Sequence, residues 1–276
     1  MSMLKKMSYA LPDLKESWLL LLLFVAGQLA ASPVRIMPLA YCLSYLFPFL
    51  YLYVRGQRRM NMPAGEQLPV YEDTCPDRPR FGRLRLWGFV PVALMTEMSV
   101  IVLLGCIPFD MEMPEWLSRA MEEMLDGNLW YNLLTMSILA PVLEEYLFRG
   151  VILNGLKSRM APGWAVVWSS VLFAVAHLNP WQAVPAFVLG CLFGWVYVRT
   201  RSLWAVVLMH SFNNTLTVVA AAVFGTEAVS EGDVRMLFGQ WASYVLPAVS
   251  AVALAAGVIL LNRYLPGKTR KETIQS

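Results

Sequence analysis

Charge is scarce in this sequence and histidine scarcer. Asp, Glu, Lys and Arg make up only 15% of the 276 residues against 58% hydrophobic, and two residues are histidine. A mean hydropathy of +0.53 is beyond what a water-solvated surface tolerates, so a soluble enzyme is excluded. The same scarcity of charge excludes a disordered chain. Cysteine is also sparse, four residues with no CxxC pair, which excludes a disulfide scaffold and gives no thiolate metal or redox motif. Cys42, Cys106 and Cys191 lie in apolar runs and read as small buried hydrophobes, while Cys75 stands in a polar loop. The net charge of +3 is too small to imply nucleic acid as a partner, and the basic residues fall in short clusters rather than along one stripe. No repeat or second domain is visible. The expectation is one all-α, polytopic transmembrane domain over 1–276, with the lipid bilayer as its first partner.

Long apolar runs are what the chain has in place of charge. A spanning helix needs about 20 mostly apolar residues. Eight runs qualify or nearly so: 17–32, 36–54, 87–108, 129–149, 164–178, 181–198, 203–224 and 240–262. The fifth is short, and either continues into flanking polar residues or stops below the far surface. The first could pass for a signal peptide, but Leu29 is a poor residue at the minus-three position of a cleavage site, so the span is expected to be retained.

Positive residues are held on the cytoplasmic side. Lys5, Lys6 and Lys15, seven arginines in the Pro- and Arg-rich loop 55–86, then Arg149, Lys157, Arg159, Arg199, Arg201, Arg263, Lys268, Arg270 and Lys271 all fall on one side. The other side has Arg35, Arg119 and Arg235. This alternation predicts a multi-pass protein of the cell membrane with both termini cytoplasmic and 55–86 as a cytoplasmic loop. The connection 109–128 points the other way, carries Asp110, Glu112, Glu115, Glu122, Glu123 and Asp126, and reads as a solvated amphipathic helix whose apolar face suits the interface.

An ionisable residue inside a span costs several kcal/mol and needs a partner or a task. Here these residues are Glu97, Glu144, Glu145, Arg149, His177 and His210, with Asn213 and Asn214 beside the last. Both histidines of the protein are among them. Glu145 and Arg149 are four apart and stack on one helical face as an ion pair, whereas Glu144 points elsewhere, as a carboxylate meant to titrate would. Pro141 removes a helical hydrogen bond one turn earlier and is a candidate kink. The fourth and fifth spans form a hairpin around Met160. Glu144 is 16 residues before that point and His177 is 17 after it, so the two come to similar depth. Phe173 shares the face of His177, and His210 shares that of Asn214. A carboxylate and an imidazole that activate water, with His210 and Asn214 donating to an oxyanion, are the parts for hydrolysing an amide. Glu97 belongs to none of these patterns; pairing with Arg149 or lining a cavity are alternatives to its first reading as a buried hydrogen-bonded residue.

These residues read Glu144-Glu145-Tyr-Leu-Phe-Arg149, Phe173-Ala-Val-Ala-His177 and His210-Ser-Phe-Asn-Asn214. The three patterns EExxxR, FxxxH and HxxxN, in this order on separate apolar segments, resemble the CPBP family of CAAX-processing and bacteriocin-processing intramembrane proteases, which includes the Rce1-type endopeptidases and the Abi proteins. The resemblance covers roughly 129–220. It implies about eight transmembrane helices enclosing a cytoplasm-facing cavity and a protease core over about 129–224. It also implies an intramembrane endopeptidase cutting a CAAX-type or leader-peptide-like substrate, either a peptide or a lipidated protein. By position it makes Glu144 and His177 catalytic in water activation and His210 and Asn214 catalytic at the oxyanion. Glu145, Arg149 and Phe173 read as support from their spacing, although Glu145 and Arg149 also belong to the family motif and losing either could abolish activity. Family members are often labelled metalloproteases, and Glu144, His177 and His210 are legitimate zinc ligands. HExxH is absent, however, and an oxyanion role accounts better for the asparagine, so a metal-free site is expected. The competing class is a non-catalytic scaffold or bacteriocin immunity protein of the same fold. A proton-coupled transporter is disfavoured because no paired, interrupted helices recur in two matching halves.

Overall fold

The computed structural model describes residues 11–61, 79–106, 113–226, 239 and 241–266, and every regular element among them is helical. In chain order these are α1 (Leu14–Ala31), α2 (Met37–Ser44), α3 (Leu46–Met60), α4 (Arg85–Gly105) and α5 (Glu115–Leu125). Next comes a helical run of five parts: α6 (Leu129–Asn132), a π-helix Leu133–Leu139, α7 (Ala140–Glu145), a π-helix Tyr146–Leu153 and α8 (Asn154–Lys157). It is followed by α9 (Pro162–Ala176), α10 (Pro180–Thr200), α11 (Leu203–Phe224) and α12 (Ala242–Tyr264). The chain divides into two compact units. One is Met1–Pro79 with Val142–Val206 and Lys268–Ser276, and the other is Arg80–Pro141 with Val207–Gly267.

Six helices among the described residues are long and apolar enough to cross a membrane: Leu14–Ala31, Met37–Arg59, Gly82–Gly105, Pro180–Thr200, Leu203–Phe224 and Tyr244–Tyr264. The protein is a multi-pass membrane protein. The remaining two of the eight expected runs fall outside this set for two physical reasons. The fourth run is helical but interrupted by its two π stretches. The fifth, α9, has 15 residues. At ~1.5 Å per residue it is about 22 Å long, less than the roughly 30 Å of a hydrocarbon core, and the helix does not continue into the flanking polar residues.

In the first unit, α1 starts at a capping box. The Asp13 carboxylate accepts from the Glu16 amide at 2.8 Å, and the Glu16 carboxylate accepts from the Asp13 amide at 3.1 Å. Glu16 also pairs with Arg55, at the end of the second span. That span breaks at Tyr45 because Pro48 has no N–H to offer the Ser44 carbonyl four residues back. The Ser44 carbonyl instead lies against Gly27 of α1, where a Cβ would collide with it. α9 and α10 pack as a hairpin. The turn between them places His177 at the C-cap of α9 and Leu178 at a φ of 52°, and Asn179 caps α10 by accepting from the Trp181 amide at 3.0 Å.

In the second unit, α4 and α12 pack together. Gly257 sits so close to the Thr96 hydroxyl that no side chain fits between them. Glu97 is fully buried on α4. α5 is the expected amphipathic helix, with an Arg119–Glu115 pair on its surface and Trp116 exposed.

Two details of the sequence reading change. Arg149 is completely buried in the helical run rather than in a connection, so it carries no topology signal, and the charge asymmetry rests on the other basic residues. Cys42 is exposed on the protein surface, not buried. The loop residues 62–78, Cys75, Asp110, Glu112, Arg235 and the basic residues of both ends (Lys5, Lys6, Lys268, Arg270, Lys271) lie outside the described residues.

Candidate active site

Glu144 stands at the end of α7, just ahead of the second π-helix, and is half-buried. The Tyr41 hydroxyl of α2 donates to its Oε1. Tyr41 is in turn backed by Tyr45, with ring centroids 5.6 Å apart and hydroxyls 3.4 Å apart. It also lines a cavity of about 190 Å³ whose walls include Gln28, Ala31, Met37, Ala40 and Ser44. Sequence reasoning missed Tyr41. The usable signal was a phenol in an apolar run, which a bland aromatic packing role explains equally well.

Glu145 points elsewhere, as its spacing predicts. Its Oε1 accepts from Nη1 of Arg149 at 2.9 Å, and both side chains are completely buried. Arg149 spends a second nitrogen, Nη2, on the Gly190 carbonyl of α10 at 3.1 Å. A Cβ on Gly190 would press on that guanidinium and on Ser170, which explains the glycine. The guanidinium carbon lies 4.5 Å from the centre of the Phe173 ring. A desolvated cation over an aromatic face is stabilised by the ring quadrupole, so the buried charge is met on three sides. Phe173 also meets Phe148 edge-on at 5.2 Å, and the Phe148 carbonyl accepts from the Ser169 hydroxyl at 3.0 Å.

The other edge of Phe173 faces His177, with ring centroids 4.9 Å apart at 87°. The helix ends here with the His177 amide bonded to the Ala174 carbonyl, which leaves the Phe173 carbonyl one turn back to be filled by Nδ1 of the imidazole at 2.9 Å. A carbonyl only accepts, so Nδ1 carries the proton, and the lone pair of the neutral ring is on Nε2. The spacing of Phe173 and His177 is therefore a device that selects a tautomer. In the first unit Phe173 sits against both the Arg149 cation and the His177 ring, tying the two motifs together.

His210 and Asn214 belong to the second unit, one turn apart on α11. His210 is buried and Asn214 half-buried. The Asn214 amide is oriented by two bonds: Nδ2 donates to the Met136 carbonyl at 2.8 Å, and Oδ1 accepts from Nδ2 of Asn213 at 3.0 Å. Within either unit, no three His, Cys, Asp or Glu side chains among the described residues are grouped as a metal ion would need.

A family model described as type II CAAX prenyl endopeptidase Rce1-like matches residues 126–216, the stretch that carries all three motifs. The chain is 35% identical over 91 residues to the membrane-embedded CAAX protease MroQ of Staphylococcus aureus, covering 30% of this chain and 36% of that protein. It is 30% identical over 87 residues to YdiL of Bacillus subtilis, covering 32% and 36%. It is also 31% identical over 157 residues to an uncharacterized 24.3 kDa protein of Escherichia coli, covering 53% of this chain and 70% of that one. The match spans about a third of the length of the first two relatives. No solved structure matches the chain. The chain belongs to the CPBP family of Rce1-like membrane proteases.

Proposed function

We propose that this protein is an intramembrane endopeptidase that hydrolyses a peptide bond near the cytoplasmic face of the cell membrane. Its substrate is a CAAX-type or leader-peptide-like chain, presented as a peptide or a lipidated protein. The motif-bearing core is 129–224, and both termini face the cytoplasm, on the side with most of the Lys and Arg. The observation that carries the reading is the tautomer of His177. With Nδ1–H committed to the Phe173 carbonyl, Nε2 remains as a base. Glu144 and His177 together polarise a water. Its proton passes to the Glu144 carboxylate as the oxygen attacks the scissile carbonyl, and His210 and Asn214 donate hydrogen bonds to the oxyanion. Collapse of the tetrahedral intermediate breaks the C–N bond, and the amine leaves with the proton that Glu144 held. No Cys or Ser nucleophile enters, and the reading is metal-free, since the asparagine of HxxxN suits a hydrogen-bond donor better than a zinc ligand.

The test is turnover by the purified protein in lipid nanodiscs of a fluorescence-quenched peptide ending in a farnesylated CAAX sequence. Mass spectrometry reads the products with and without a zinc chelator. The expected result is a single cut that the chelator leaves unchanged. Loss on chelation reversed by zinc would replace the mechanism with a metal one.

A further inference from the structure

Pro141 lies between the Asn214 contact and Glu144 in sequence, and neither the ion pair nor the His177 tautomer uses it. Its effect is read from the carbonyl of Met136. In an α-helix that carbonyl would accept from the amide of residue 140, and in a π-helix from that of residue 141. The Ala140 amide is spent on the Thr135 carbonyl, the π-helical bond that closes Leu133–Leu139. Residue 141 is proline and has no N–H. The Met136 carbonyl is thus stripped of both helical partners, and an unpaired carbonyl away from water is costly. Nδ2 of Asn214 fills the gap at 2.8 Å, and because a carbonyl accepts only, this bond together with that from Asn213 to Oδ1 fixes which way the amide faces. The amide nitrogen has a second hydrogen whose direction is then set.

We propose that Pro141 is a positioning residue for hydrolysis that acts through Asn214: by leaving the Met136 carbonyl without a helical partner it anchors the Asn214 amide and aims its remaining N–H. The inference rests on the reading of Asn214 as an oxyanion donor.

The test uses the full chain in nanodiscs. Pro141→Ala gives residue 141 an N–H for the Met136 carbonyl and makes the asparagine redundant as its partner; Pro141→Ser restores the same N–H and should behave alike. In thermal unfolding, Asn214→Ala is expected to lower the midpoint on its own and to leave it unchanged in combination with Pro141→Ala. Additive shifts would overturn the anchor. With the farnesylated peptide as probe, Pro141→Ala is expected to lower kcat roughly ten-fold with KM unchanged, as loosening one oxyanion donor should. The double variant should turn over no more slowly than Asn214→Ala. A Pro141→Ala protein with full kcat beside a slow Asn214→Ala protein would overturn the positioning role. Coupled melting with full turnover in Asn214→Ala would overturn the oxyanion reading and leave the anchor standing.

Discussion

The Tyr41 hydroxyl donates to the carboxylate of Glu144 across 103 residues of sequence, joining a segment that carries no motif to the first glutamate of EExxxR. Tyr41→Phe keeps the ring and its packing on Tyr45 and deletes the hydroxyl, removing its bond to Glu144 and its contact with the Tyr45 hydroxyl. Turnover of the farnesylated peptide is expected to fall roughly ten-fold, about the 1–1.5 kcal/mol of one hydrogen bond, with the melting midpoint little changed. Unchanged turnover would show that the contact does not orient Glu144.

Arg149 is fully buried with Glu145, the Gly190 carbonyl and the Phe173 ring as its partners. Arg149→Ala leaves the Glu145 charge buried without its cation and should cost about 3–5 kcal/mol, measured as lost thermal stability in nanodiscs. Arg149→Lys should recover little, because an ammonium cannot reach both oxygens and stack on the ring. The double variant Glu145→Leu with Arg149→Met is expected to be more stable than Arg149→Ala while remaining inactive.

Gly27 faces the Ser44 carbonyl that Pro48 leaves exposed, and the obstructing atom is backbone that cannot rotate away. Gly27→Ala should destabilise the protein by on the order of 1–3 kcal/mol. Gly163, in the first turn of α9, has open space around it, and Gly163→Ala should be neutral or stabilise by up to about 1 kcal/mol. Equal melting midpoints for the two variants would contradict the close packing of α1 on α2.

The proposed topology, with both termini cytoplasmic, predicts a cytoplasmic α8–α9 turn and an α5 exposed on the opposite face. With the native cysteines replaced, Trp164→Cys should react with a membrane-impermeant maleimide only in inverted vesicles, and Trp116→Cys only in intact cells. Both side chains are well exposed. The reverse pattern would invert the topology.

Much of this arrangement was legible in the sequence. Apolar runs located the helices, and the four-residue spacing of Glu145 and Arg149 gave their ion pair, because both signals are local. The spacing of Phe173 and His177 put them on one face but could not show that the Phe173 carbonyl sets the tautomer, which depends on the helix ending at that turn. The π-helical stretches were hidden because an apolar run looks much the same at either helical period. Tyr41 was hidden because its partner lies on a distant helix. Arg149 was misread as a topology signal because its charge is local while its burial is a product of packing.

The most direct measurement is the rate at which Glu144→Gln protein, folded and reconstituted like the unaltered chain, cleaves the farnesylated peptide. Glutamine keeps the size of the side chain and an oxygen to accept from Tyr41 but cannot take a proton from water. A fall of at least ~10²-fold with peptide binding retained is the predicted result. Cleavage at the unaltered rate would contradict the assignment of Glu144 as the base.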